Sequence, residues 1–139
     1  MNVEEFFKTN KLADFREIPI DNFAYIGDAV MALKYKLLIL KDGRKKPFHL
    51  NERSKDFLSA KAHDDFALKI FPQLSEKEKN IYKRGYNSRG AGKRGNDLSY
   101  RRSTGLESLI GYLYLAKEFD RLNEIFEVID KCMFKEEMS

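Results

Sequence analysis

Two acidic residues, Asp28 and Glu107, sit in matching surroundings far apart in the chain. Asp28 follows Gly27 within Ala24-Tyr25-Ile26-Gly27-Asp28-Ala29-Val30, and Glu107 lies four residues before Gly111. Each carboxylate therefore has a glycine within one turn if both stretches are helical. Glycine inside a helix costs about 0.5–1 kcal/mol relative to alanine, and it lets a second helix approach closely. Two helices meeting at these glycines would bring Asp28 and Glu107 to one shared divalent cation. Oxygen ligands with several retained waters favour Mg²⁺ or Mn²⁺ over zinc. Asp28 has a second reading, as half of an ion pair or as acceptor from a backbone donor, because a buried carboxylate needs a partner.

The second group that could do chemistry is cationic. Between Lys83 and Arg102 stand Lys83, Arg84, Arg89, Lys93, Arg94, Arg101 and Arg102 against one acid, Asp97, a local charge of +6 where the rest of the chain carries −2. Glycines at 85, 90, 92 and 95 are interleaved with these cations, and four glycines in so short a span argue against a stable helix. The order GxxxxGK[ST] is missing, so nucleotide binding in a phosphate loop is rejected. Either the segment is a solvated loop, or it fits against a nucleic-acid backbone. In the second case the Arg and Lys side chains neutralise phosphates, while Tyr86 and Asn87 supply hydrogen bonds. A basic loop directly before an acidic helix suits phosphodiester chemistry.

These groups need a scaffold. With 139 residues the chain makes one domain, 1–139, large enough for a proper core. A single cysteine, Cys132, excludes an intramolecular disulfide and points to a reducing compartment. His49 and His63 stand alone and read as surface or loop positions, so zinc is not expected. The acidic start Met1-Asn2-Val3-Glu4-Glu5 is no signal peptide, and no run reaches the roughly 18 apolar residues of a membrane span. A cytoplasmic location follows.

Periodicity predicts helices throughout. Short helical or irregular pieces at 3–8 and 11–17 offer Phe6, Phe7, Leu12 and Phe15 to the core. After Pro19, with Asp21 or Asn22 as N-cap, a helix runs to Leu40 with Ile26, Val30, Leu33 and Leu37 as its core stripe. That assignment puts Asp28 on the other side, among Ala24, Tyr25, Met31, Ala32 and Tyr35. Asp42-Gly43 closes the helix and Arg44-Lys45-Lys46-Pro47 forms a basic turn. A second helix is predicted from Glu52 to Phe71, capped by Asn51, with Leu58, Ala62, Phe66 and Ile70 inward. Ser75 and Glu78 form a capping box for a short helix that ends near Arg84-Gly85. Ser103 to Glu118 carries Leu106, Leu109, Ile110 and Leu113 on one face, and Phe119 to Lys131 carries Leu122, Ile125, Phe126 and Ile129. Residues 132–139 are expected to fray. No strand-like alternation of useful length occurs, so the fold class is all-α.

The residues around both acids also resemble a known family. Ala24 to Val30 is similar to the LGDAV signature of the ribonuclease III catalytic domain, and Thr104 to Leu115 resembles its second motif, EALIGAIYL. Ser59-Ala60-Lys61-Ala62, Lys83-Arg84-Gly85 with Asn87, and Tyr100-Arg101 are similar to segments of the Mini-ribonuclease III branch, which has no double-stranded-RNA-binding domain. The likeness runs in order from about residue 23 to 125. Full-length ribonuclease III has carboxylates four and seven residues before the signature aspartate and an aspartate three before the glutamate. Here Ala24, Asp21 and Thr104 stand at those positions. The Mini branch shares the alanine and the threonine, so these departures point to that branch.

The resemblance implies a Mg²⁺-dependent endoribonuclease (Mn²⁺ being an acceptable substitute) that cuts double-stranded RNA as a homodimer, leaving 5′-phosphate and 3′-hydroxyl ends. It implies Asp28 and Glu107 as the metal-binding acids. It implies contact between RNA and the segment carrying Lys83, Arg84, Asn87, Arg89, Lys93, Arg94, Arg101 and Arg102, and a dimer interface that includes Tyr25, Met31 and Tyr35 beside Asp28. The branch is associated with maturation of the large-subunit (23S) ribosomal RNA precursor, where a ribosomal protein could assist. The alternative is a catalytically silent RNA-binding or ribosome-assembly protein on the same fold. Retention of both acids argues against it, and a helical adaptor leaves the basic segment unexplained.

Overall fold

The computed structural model describes residues 18–40, 58–93 and 95–138, with side chains as far as Lys131. Among the described residues every regular element is helical. Helix α1 spans Ile20–Leu40, α2 Ala60–Ile70, α3 Glu76–Tyr86, α4 Arg89–Gly92, α5 Leu98–Leu115 and α6 Phe119–Met138, with a 3₁₀ turn at Phe71–Gln73. The pieces expected at 3–8 and 11–17, the 44–47 turn, the Asn51 cap and His49 lie outside the described residues.

Local chemistry sets the helix starts. Ser59, in extended backbone, accepts the Ala62 N–H at 3.0 Å, so the predicted helix is interrupted at Ser59 and α2 starts at Ala60, the expected 52–57 portion lying outside the described residues. Ser75 and Glu78 make the expected reciprocal box: Ser75 Oγ accepts from the Glu78 N–H (3.2 Å) and Glu78 Oε1 from the Ser75 N–H (2.9 Å). Asp97 accepts the Tyr100 N–H at 3.1 Å, which moves the start of α5 to Leu98, upstream of the Ser103 expected. The glycine-rich segment also departs from expectation by forming the single turn α4. Propensity does not hold it; Ser88 caps it (3.1 Å to the Ala91 N–H) and Ala91 is buried. The backbone of α6 stays helical to Met138, where fraying was expected.

Helix α5 is the axis of the molecule and packs against α1, α2, α3, α4 and α6. Its Leu106, Leu109, Ile110 and Leu113 are fully buried. They meet Met31, Tyr35 and Ile39 of α1, Phe66 and Ile70 of α2, and Leu122, Ile125, Phe126 and Ile129 of α6 in one core. Buried hydroxyls on α5 are satisfied within the helix: Ser103 and Thr104 both donate to the Tyr100 carbonyl (2.8 and 2.9 Å), and Ser108 to that of Thr104 (2.8 Å). Small, self-satisfied side chains leave room for neighbouring backbones. Gly27 and Gly111 meet where α1 crosses α5, each facing backbone of the other helix. This is the glycine-assisted approach expected beside the two acids.

That crossing decides which side of α1 is buried. Phe23, Gly27, Met31, Tyr35 and Ile39, spaced by four, face inward. The stripe expected to do so faces outward instead: Leu33 is 58% and Leu37 55% exposed, with Ile26 and Val30 half-buried. Both stripes are apolar, so periodicity alone did not choose between them; the glycine contact does. Two further expectations fall with it. Asp28 is exposed, not on a buried face, and Met31 and Tyr35 are fully buried in the core, which removes them from any interface between copies. Tyr25, 78% exposed, remains on the surface.

Candidate active site

Three helices each deliver one group to a single point. Asp28 comes from α1, His63 from α2 and Glu107 from α5, with ligand atoms all within 4.8 Å of one another. Asp28 is placed by the Gly27–Gly111 crossing, which sets α1 directly against the turn of α5 that carries Glu107. His63 is only 1% exposed, and its Nδ1 lies 2.8 Å from Glu107 Oε1. Burial pushes the Glu107 carboxyl above the ordinary glutamate range; the hydrogen bond from His63 opposes that shift, and the Asp28 carboxylate adds to it. Two carboxylates that repel each other, one of them hydrogen-bonded to an imidazole, form an oxygen donor set suited to a hard divalent cation.

His63 is a correction to the sequence expectation of a surface or loop histidine. A signal for it was available. With Phe66, Ala67 and Ile70 it follows the spacing i, i+3, i+4, i+7 of a buried helical stripe, and all four side chains are buried. Its neighbour Asp64 is also buried and was also missed. Asp64 accepts from Ser99 Oγ at 2.7 Å and pairs with both Nε and Nη2 of Arg102. The Arg102 guanidinium holds the Asp64 carboxyl below the usual aspartate range despite burial, with help from Ser99.

That pair removes Arg102 from the expected phosphate-binding set, because its charge is committed to Asp64. Arg101 is partly committed as well, donating from Nη1 to the Tyr86 carbonyl at 3.0 Å with its guanidinium over the Tyr86 ring. Lys83, Arg84, Asn87, Arg89 and Lys93 are exposed, and Arg94 lies outside the described residues. The basic turn α4 is tied to α1, since Asp21 accepts the Gly90 N–H at 3.2 Å. Asp21 is thus a clamp, and since α1 starts at Ile20 neither Asp21 nor Asn22 is its N-cap. Thr104, at the position of a family carboxylate, spends its hydroxyl on the Tyr100 carbonyl.

An all-helical domain with acids converging at a glycine crossing, beside a cationic segment, matches one family model, the ribonuclease III domain, over residues 21–118. The chain belongs to the ribonuclease III family. Its relatives include Mini-ribonuclease 3 of Kosmotoga olearia, 36% identical over 127 residues, covering 91% of this chain and 86% of that one. Mini-ribonuclease 3 of a Thermoanaerobacter species is 38% identical over 107 residues, 76% and 75% of the two chains. A crystal structure of a Fusobacterium nucleatum protein superposes with a TM-score of 0.76 at 28% identity, covering 86% of this chain and 98% of the other. The chain is an endoribonuclease of the Mini-ribonuclease III branch. No helix among the described residues is long and apolar enough to cross a membrane.

Proposed function

We propose that this endoribonuclease cleaves double-stranded RNA with Mg²⁺, Mn²⁺ being able to substitute, and that Asp28 and Glu107 hold the ion. The observation that carries this reading is the convergence of Asp28, His63 and Glu107 within 4.8 Å beside an exposed cationic segment. When bound, a divalent cation supplies Lewis-acid stabilisation of charge on the scissile phosphate and lowers the pKa of a coordinated water. The chain's own part is to present two carboxylates from backbones locked together, so the ligands are in place before RNA arrives. Lys83, Arg84, Arg89 and Lys93 neutralise phosphates on either side of the cut, and Asn87 adds hydrogen-bonding capacity. A-form duplex is read in this way through phosphates and 2′-hydroxyls more than through base sequence.

The active form in this reading is a homodimer. Tyr25, Leu33 and Leu37 on the outer face of α1 are large apolar side chains left in solvent, and a second copy would cover them. The products carry 5′-phosphate and 3′-hydroxyl ends, and the cellular substrate is the large-subunit ribosomal RNA precursor, processed in the cytoplasm.

Purified protein incubated with duplex RNA and Mg²⁺ tests the reaction. The native chain should cut, whereas Asp28→Asn and Glu107→Gln should bind RNA without cutting. Normal cutting by both variants would overturn the assignment of these acids. Light scattering reads the dimer directly, and end-mapping of ribosomal RNA from cells lacking the protein reads the substrate.

A further inference from the structure

We infer that His63 is a positioning residue for Glu107: its Nδ1–H donates to Glu107 Oε1 and fixes the carboxylate in the orientation that receives the divalent cation. The inference rests on the metal-dependent reading above and extends it to a residue on a third helix.

His63 Nε2 is buried and has no hydrogen-bond partner among the described residues, while Nδ1 faces a carboxylate oxygen at 2.8 Å. A proton on Nε2 would bury an unpaired donor and set two lone pairs against each other at Nδ1. A proton on Nδ1 satisfies the donor and the carboxylate together and leaves only an acceptor unpaired, the cheaper arrangement. Nδ1 is therefore occupied as a donor to Glu107, not free as a ligand.

The imidazole is itself held. The next residue, Asp64, is bound to Ser99 and Arg102, the last of which precedes Glu107 by little more than one turn of α5. Consecutive residues of α2 thus grip α5 at two levels, and the ring of Phe66 lies 6.3 Å from the imidazole centroid. Glu107 has freedom at its side-chain torsions that the backbone crossing at Gly27 does not restrain; His63 restrains it. Hydrogen-bonded partners of ligating groups commonly change metal affinity by roughly 10–100-fold when removed.

The test uses Mn²⁺ alone, its binding to the RNA-free full chain followed by electron paramagnetic resonance. His63→Leu and His63→Met keep the bulk but cannot donate, whereas His63→Asn keeps an N–H at the position of Nδ1. Folding of each is checked by circular dichroism and thermal melting. We expect the Leu and Met variants to bind Mn²⁺ on the order of 10–100-fold more weakly, and the Asn variant to stay within a few-fold of native. Native affinity in folded Leu or Met variants overturns the inference. So does a folded Asn variant as weak as Leu, which would make the imidazole nitrogen itself a ligand. Asp28→Asn and Glu107→Gln serve as separate controls: native Mn²⁺ binding by both would sink the underlying metal site whatever His63 does.

Discussion

Gly27 and Glu107 are in backbone contact: a Cβ at position 27 would fall 1.7 Å from the Glu107 carbonyl oxygen. The separation of the two acids is consequently set by main chain, with Asp28 one residue beyond the contact point. Gly27→Ala forces α1 and α5 apart. We expect a loss of stability of more than about 2 kcal/mol, as for other overpacked interiors, and loss of cleavage even at temperatures where the variant is folded. Chemical denaturation gives the first and the duplex assay the second; an alanine variant of native stability and activity would mean the helices do not meet here.

The cations of the 83–102 segment divide into two kinds with opposite signatures. Lys83→Ala, Arg89→Ala and Lys93→Ala should each weaken RNA binding and reduce the slope of log affinity against log salt by up to about one unit per phosphate contact. Arg102→Ala should instead lower thermal stability, because it leaves Asp64 buried without its charge partner. Salt titrations of binding beside melting curves separate the two groups.

Acid stability should depend on Glu78. Its carboxylate is buried against Arg121 (2.8 and 2.9 Å) and also closes the capping box. The hydrogen bond from Arg121 lowers its pKa below the ordinary glutamate value, against desolvation. A depressed folded-state pKa means stability present above the unfolded-state value and lost as pH falls through the folded one. Glu78→Gln keeps the cap but not the charge, so it should cost about 1–3 kcal/mol at neutral pH. The gap from native should close as pH drops below roughly 4.3. A gap that stayed constant down to strongly acid pH would show that the ionised carboxylate contributes nothing.

Lys117 sits where a glycine belongs. Helix α5 ends with the Glu118 N–H bonded to the Leu113 carbonyl (2.9 Å) and the Lys117 N–H to that of Tyr114 (3.1 Å), a Schellman closure, and Lys117 has φ 59°. The left-handed conformation costs a side-chain-bearing residue about 1–2 kcal/mol. Lys117→Gly should therefore raise stability by about 1 kcal/mol, measurable as a shift in denaturation midpoint without change in activity.

Much of this was legible in the sequence, and the failures have physical causes. The helical class, the capping box at Ser75, the inward faces of α5 and α6, and the pairing of glycines beside Asp28 and Glu107 all follow from local chemistry. The inward face of α1 does not, because Ile26, Val30, Leu33 and Leu37 are as apolar as Phe23, Met31, Tyr35 and Ile39. Only the contact with another helix distinguishes them. The same limit hid His63 and Asp64, whose partners Glu107 and Arg102 lie some forty residues away along the chain. Asp97 and Ser88 are different: their capping chemistry was present locally, but the surrounding glycines outweighed it in the reading.

The hydrogen bond from Gly90 to Asp21 ties the basic turn to the helix that carries Asp28. Asp21 and Asp28 ride the same unbroken helix, about two turns or roughly 10 Å apart. The basic turn α4 and the acid Asp28 are thereby mounted on one rigid rod. Inserting a residue between them would rotate one against the other by about 100°; under the proposed function, the distance from the gripped phosphate to the cut one would then follow the pitch of α1.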